Sequence, residues 1–331
     1  MSSASLNVTA IGAPQAHRAL TKENPQVQRR VRATYCDLLK SDGELECLMK
    51  QSAVHISCEY QRAAALIRSA DNLLIVAGAG MGVDSGLPDF RGNEGFWRAY
   101  PALGRAGTDF FSIASPQAFR SQPRLAWGFY GHRLQLYRET QPHDGFEILR
   151  KWGELLPNGA AVFTTNVDGH FQKAGFAPDR ITECHGSIHH LQCLEACTTR
   201  IWSAEEFLPE VDVGQCLLVN DFPTCPECGG MARPNILMFG DGEWVEHRSH
   251  AQWANLDKWL HQSGDLVVVE LGAGTTVATA RHFTEEMGRR RNASIIRINP
   301  QDASIPAKGR NVSISRGASE ALSMIDSHLY D

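Results

Sequence analysis

The stretch Asn72-Leu73-Leu74-Ile75-Val76-Ala77-Gly78-Ala79-Gly80-Met81-Gly82-Val83-Asp84-Ser85-Gly86-Leu87-Pro88-Asp89-Phe90-Arg91-Gly92 decides how the rest of the chain is read. A run of strand length, 72–77, ends abruptly in glycines and then in a Pro-Asp-Phe-Arg loop. Glycines there let backbone N–H groups approach a ligand that side chains would hold off, typically a phosphate at a helix N-terminus. The run departs from the dehydrogenase fingerprint G-x-G-x-x-G, because Val83 stands in place of the third glycine. No ribose-binding acid is obvious about 20 residues after the first glycine. The stretch therefore reads as a buried strand followed by a dinucleotide loop of another kind.

Further apolar runs extend the pattern. Ala160-Ala161-Val162-Phe163-Thr164 predicts a second strand, Leu266-Val267-Val268-Val269 a third, Ser294-Ile295-Ile296-Arg297-Ile298 a fourth and Asn311-Val312-Ser313-Ile314 a short last one. Helices are predicted over 57–70 and near 251–262, 276–291 and 317–329. Continuous apolar strands between helices are the mark of a parallel sheet covered on both faces.

The whole chain sets bounds on function. Its 331 residues have room for one large domain, or for one large and one small. A hydrophobic content of 43% with 21% charged residues is that of a soluble globular protein. The net charge of -5 leaves no footprint for nucleic acid or anionic membrane, and neither partner is expected. The short basic run Gly288-Arg289-Arg290-Arg291 reads as a solvated helix end. Roughly the first 30 residues, rich in Ser, Ala, Gln and Pro, read as a flexible tail. Apolar positions over 26–50 then fall at helical spacing, so 1–56 is expected to be an extension, partly disordered and then helical. Nine cysteines without a signal peptide argue for reduced thiols or metal ligands in a cytoplasmic setting.

Between the second and third strands, residues 188–235 exchange apolar runs for cysteines, a glycine pair and prolines. Cys193 and Cys197 form a C-x3-C pair, and Cys225 and Cys228 a C-x2-C pair followed by Gly229-Gly230. Four thiolates in tetrahedral array suit structural zinc, and the metal would replace the core that so short an insertion cannot build. Cys216 is expected to be a small core residue. The expected fold class is α/β: a Rossmann-like parallel sheet with helices on both faces, spanning 57–187 and 236–331, plus a small zinc-binding insertion at 188–235.

Taken in order, these motifs resemble the sirtuins, NAD-dependent protein deacylases, with the chain as a divergent, bacterial-type member. The resemblance rests on Gly78-Ala79-Gly80, Gly86-Leu87-Pro88-Asp89-Phe90-Arg91, Thr164-Thr165-Asn166-Val167-Asp168-Gly169, Glu183-Cys184-His185-Gly186, Arg233-Pro234 and Phe239-Gly240-Asp241. It covers the chain from about residue 57 to its end, and the ordered set is far more specific than any one motif. It implies cleavage of NAD to nicotinamide, with the acyl group of a modified lysine on a protein substrate passing to ADP-ribose. It assigns His185 as the catalytic base and Asn166 and Asp168 to the nicotinamide ribose and carboxamide pocket. It gives Asp89 the carboxamide, Phe90 the cover over the reacting carbon, and Arg91 the loop and phosphates. Gly78, Ala79, Gly80 and Gly272 belong to the cofactor loops, and Asn299 to the adenosine ribose. His189 and His190 are expected to be ordinary polar residues.

The sequence departs from the family pattern in four places. Gly82 stands where a serine is usual, Thr165 where a glutamine is usual, and Gly272-Ala273-Gly274 where the family has Gly-Thr-Ser. Each lost neutral hydrogen bond to a ligand costs about 0.5–1.5 kcal/mol unless backbone or water replaces it. Phe239-Gly240-Asp241-Gly242-Glu243-Trp244 brings acidic and aromatic residues to the segment that pairs with substrate peptide in the family. The readings compatible with this pattern are a deacylase, a protein ADP-ribosyltransferase or NAD hydrolase, and a non-catalytic NAD or ADP-ribose-binding module.

Overall fold

Ala77, the last residue of strand β1 (Asn72–Ala77), is flanked in the sheet by Thr164 on one side and Leu271 on the other. These two neighbours end β2 (Ala160–Thr164) and β9 (Leu266–Leu271), so three strands release their loops side by side. The computed structural model describes residues 58–89, 92–262, 264–306 and 310–330. The 1–56 extension, Phe90 and Arg91 lie outside the described residues.

Six parallel strands stand in the order β11-β10-β9-β1-β2-β3, with β3 at Ile181–Glu183, β10 at Ser294–Ile298 and β11 at Val312–Ile314. Residues Leu73 through Ala77 are wholly buried, as expected of a strand covered on both faces. The chain runs from β1 to β2 on one side and later returns to β9 on the other. That reversal opens a crevice at the carboxyl ends of the strands, where open α/β sheets bind ligands. One buried charge pair is carried within the sheet: Arg297 Nη2 donates to Glu270 Oε2 at 3.0 Å, and Nη1 donates to Ser304 O at 2.7 Å.

Each expected strand is present, and β3, three residues long, was too short to show as an apolar run. Helix α1 spans 58–68. Between β1 and β2 lie α2 (Gly92–Ala99), α3 (Pro101–Arg105), α4 (Phe110–Ile113), α5 (Pro116–Ser121), α6 (Pro123–Glu139) and α7 (Asp144–Leu155), none of them foreseen from periodicity. Three are too short to display a repeat, and local signals set their starts instead. Proline opens α3, α5 and α6, the Asp109 carboxylate accepts from Ser112 N, and the Ser115 hydroxyl accepts from Ala118 N. Helix α8 (His170–Lys173) follows β2, α9 (His247–Leu260) precedes β9, and α10 (Thr279–Arg290) and α11 (Ala318–Ser327) flank the last strands. No helix among the described residues is long and apolar enough to cross a membrane.

The cysteine-bearing segment is antiparallel. Strand β4 (Gly186–Cys193) pairs with β5 (Trp202–Ser203) and β8 (Ala232–Ile236), and β6 (Val211–Asp212) pairs with β7 (Leu217–Leu218). It packs on α6 through backbone as well as side chains. Trp127 Nε1 donates to Ala232 O at 3.1 Å, and a Cβ on Gly128 would lie 2.0 Å from Cys216 O. Cys216 is buried in this core, as expected, with a left-handed φ of 57°.

The loops after β1 and β9 touch backbone to backbone. Gly272 has φ +58°, and a Cβ there would lie 2.4 Å from Gly80 Cα. Gly272→Ala should therefore destabilise the protein by roughly 2–4 kcal/mol in urea titration, from backbone strain and overlap combined. An unchanged midpoint would show that the two loops do not depend on this approach.

Candidate active site

The glycine loop is tied to its neighbours by main-chain bonds. Gly78 N donates to Leu271 O at 2.9 Å and Gly80 N to Gly272 O at 3.0 Å. Asn166 Nδ2 donates to Gly78 O at 3.0 Å, and Asn166 N donates to Thr164 Oγ1, itself bonded to Ala77 O. Asn299 Nδ2 donates to Ala273 O at 3.0 Å, while its Oδ1 accepts from Gln301 N and Asp302 N. The loops after β1, β2, β9 and β10 thus hold one another.

Together they surround a cavity of about 670 Å³, within the range of small-molecule sites. Gly78, Ala79, Asp89, Asn166, Asp168, His185 and Asn299 lie on its wall. Gly80 and Gly272 stand off the wall and serve the loop-to-loop contact. Residues not foreseen join the lining, Tyr130, Arg133 and Tyr137 from α6, Phe110, Phe111 and Thr275 with Thr276, and Phe239 of the Phe-Gly-Asp motif lies beside them. The spacing of Tyr130, Arg133 and Tyr137 places them on one helix face, a signal present in the sequence but without a partner to give it meaning.

The His185 ring hydrogen-bonds the Thr165 backbone. Burial lowers its pKa below the ordinary histidine value, opposed by that bond, so the imidazole is neutral near pH 7. Burial pushes the Asp168 carboxyl up to about 6, against the hydrogen bond it accepts from His170 N at 2.9 Å. His189 Nε2 bonds Asp168 O at 2.8 Å, a structural role matching its expected one. Arg133 donates from Nε and Nη2 to Tyr137 Oη at 3.0 and 2.8 Å, and its guanidinium lies 5.6 Å from the Tyr130 ring centre.

The four cysteines of the insertion converge. Their sulfur atoms lie within 4.8 Å of one another, with Cys193–Cys228 at 3.8 Å and Cys197–Cys225 at 3.7 Å. Tetrahedral zinc with Zn–S bonds of about 2.3 Å requires S–S separations of about 3.8 Å, so the set fits zinc. Gly229, at φ +69°, turns the chain so that Gly230 N reaches Cys228 Sγ at 3.4 Å.

Residues 78–278 match the Sir2 family. The chain belongs to the Sir2 family. An NAD-dependent protein deacylase of Aquifex aeolicus is 31% identical over 234 residues, covering 71% of this chain and 85% of that protein. One of Thermococcus kodakarensis is 29% identical, covering 73% and 85%. A solved Sir2 homologue–NAD complex shares the fold at a TM-score of 0.60 and 22% identity, covering 81% of this chain and 93% of its own.

The departures of this Sir2 chain take physical form in the site. Gly82 is buried off the cavity wall, where a Cβ would press on Leu87 Cδ1 at 3.2 Å. Thr165 lies on the wall with its hydroxyl 3.4 Å from Ala77 O. Gly274 lies on the wall, and so do Thr275 and Thr276, which directly follow the Gly272-Ala273-Gly274 segment.

Two expectations follow from this geometry. The folded pKa of Asp168 lies above its ordinary 3.8, so its stabilising contribution is full at low pH and is lost as pH rises from about 4 through about 6. Asp168→Asn should therefore raise the Tm of the ligand-free protein more at pH 7.5 than at pH 5, and an equal change at both would refute the burial account. Elemental analysis should find about one zinc per chain, and chelation should lower the Tm while exposing 193–228 to hydrogen exchange. Cys225→Ser should reproduce both effects.

Proposed function

We propose that this Sir2-family chain is an NAD-dependent protein-lysine deacylase. The observation that carries the reading is the convergence of His185, Asn166 and Asp168 on one cavity wall beside the glycine loop. When bound, NAD supplies the electrophilic ribose carbon and the nicotinamide leaving group. The backbone of Gly78 and Ala79, with Asp89, Asn166, Asp168 and Asn299, would hold the cofactor; Phe90 and Arg91 keep the roles inferred from their motif. The acceptor nitrogen of His185 would take a ribose hydroxyl proton, and its neutral form near pH 7 suits that task. Residues 188–235 are inferred to act as a zinc-braced module on the 57–187 and 236–331 framework. Free thiols, four of them gathered as a metal set, support a reducing compartment such as the cytoplasm.

The acyl group is inferred from α6. Arg133 brings a guanidinium, flanked by two phenols, to a wall that is otherwise largely apolar. Such a group favours an acyl chain ending in a carboxylate, which it can bind by a charge-assisted hydrogen bond.

Mass spectrometry of products from NAD and acylated peptides tests the function. Free lysine peptide together with acyl-ADP-ribose is expected, and His185→Ala should abolish both while leaving the Kd for NAD largely unchanged. ADP-ribosylated protein, or ADP-ribose formed without peptide, would establish transfer or hydrolysis instead, and binding without nicotinamide release would establish a sensor. Succinyl-lysine peptide should exceed acetyl-lysine peptide in kcat/KM. Arg133→Met should cut that preference about 10- to 100-fold, the value of a hydrogen bond to a charged group. A wild type that prefers acetyl-lysine would remove the acidic-acyl assignment.

A further inference from the structure

The two-stranded ribbon of β6 and β7 packs on α6 with one face and turns the other outward. We propose that this outer face, with Leu208, Leu217 and Val219 at its centre and Glu210, Asp212 and Asp221 beside them, is a docking surface for a lysine-rich amphipathic segment of a protein partner.

Register decides which side chains share that face. Val211 pairs with Leu218 and Asp212 with Leu217, and Val219 N donates to Glu210 O at 2.7 Å. Side chains alternate along a strand, and residues paired across it lie on the same face. Leu218 is buried, and a Cβ on Gly131 of α6 would meet Val211 Cγ2 at 3.1 Å, so this pair faces the body of the protein. The pairs on either side, Asp212 with Leu217 and Glu210 with Val219, therefore face outward. Leu208 stands next to them, its carbonyl accepting from Asn220 Nδ2 at 2.9 Å while Asn220 Oδ1 accepts from Glu210 N at 2.9 Å. Leu208 is 71% exposed and Val219 60%. A single exposed aliphatic residue is ordinary, but aliphatic side chains gathered on one small ribbon form a patch that a partner can cover.

Charge names the occupant. From Trp202 to Ala232 the chain carries six carboxylates and no Lys, Arg or His, against a net charge of -5 for the whole sequence. Glu227 is paired with Arg200, whereas Glu210, Asp212 and Asp221 enter no ion pair among the described residues. Arg105, Arg124 and Arg138 reach the segment from α3 and α6, but they donate to the main-chain carbonyls of Gly214, Leu218 and Phe207. Carboxylates repel nucleic acid and anionic membrane, and a second copy laid face to face would set like charges together. A polypeptide with lysines among apolar side chains meets both needs. Its ammonium groups approach the carboxylates, while its methylene stems and apolar side chains cover Leu208 and Val219. The inference goes beyond the NAD chemistry and does not depend on it.

The test uses the full chain with isotope-labelled Leu and Val methyl groups. The probe is a synthetic unacylated peptide with Lys and Leu at helical spacing, set against the same peptide with Glu at every Lys position. The Lys peptide should bind at least about tenfold more tightly than the Glu peptide and shift the Leu208, Leu217 and Val219 methyl signals. Its affinity should fall between ~50 and ~300 mM salt. Leu208→Ser/Val219→Ser should weaken binding about fivefold to tenfold, the loss expected of central contacts. Glu210→Gln/Asp221→Asn should flatten the salt dependence. All four positions are exposed, so both variants should keep the wild-type Tm. Equal binding of the two peptides, or methyl shifts confined to other Leu and Val residues, would overturn the proposal. So would a Leu208→Ser/Val219→Ser variant that binds as the wild type does. A wild type that dimerises, and a variant of the same two residues that does not, would overturn it in favour of self-association.

Discussion

The approach of the glycine loop to Gly272 is the constraint on which the site depends. Gly78 and Gly80 lie against Gly272 and Ala273 so closely that a Cβ on either would come within 2.8 Å of backbone. Two main-chain bonds, Gly78 N to Leu271 O and Gly80 N to Gly272 O, hold this approach. The glycines here act first on each other. By letting the loops after β1 and β9 touch, they fix where Gly78 and Ala79 present their backbone to the cavity. Asn166 and Asn299 then bond to the carbonyls of Gly78 and Ala273, so two residues on the cavity wall also brace the loops that carry them.

Around that junction the cavity draws on two kinds of support. The ends of parallel strands provide Gly78, Asn166, Asp168 and Asn299, whose positions follow from strand register. Helix α6 and the turn after β8 provide Tyr130, Arg133, Tyr137 and Phe239. This second group rests on the cysteine-bearing segment, which lies across α6 at Gly128 and Trp127. Zinc at the four thiolates would stiffen that segment, a contribution to shape made at a distance from the chemistry.

Legibility in the sequence followed the range of the forces involved. The strands were readable because burial on both faces demands an unbroken apolar run. The metal set was readable because two short cysteine pairs are local patterns. Ordered motifs mark Asn166, Asp168 and His185 without showing where the three meet. The Tyr130, Arg133 and Tyr137 face was present as helical spacing, yet a polar stripe on a helix has no meaning until its neighbour is known. Short helices such as α4 and α5 escaped because four to six residues cannot display a 3.6-residue repeat. The Gly272-Ala273-Gly274 segment lacks the hydroxyls of the family pattern, and the structure adds that Thr275 and Thr276, next in the chain, lie on the cavity wall.

The amino-acid sequence by itself determined the family, the parallel α/β plan, the four-cysteine cluster that fits zinc and most of the polar residues around the glycine loop, because each depends on residues close together in the chain or on motifs in fixed order. Only the tertiary structure decided which of them share a wall. It set Gly80 and Gly272 behind that wall, brought Arg133 onto it from a helix with no motif of its own, and turned Asp241 inward onto Arg233. Contacts between residues distant in the chain depend on how helices and loops pack, and packing is a property of the whole fold.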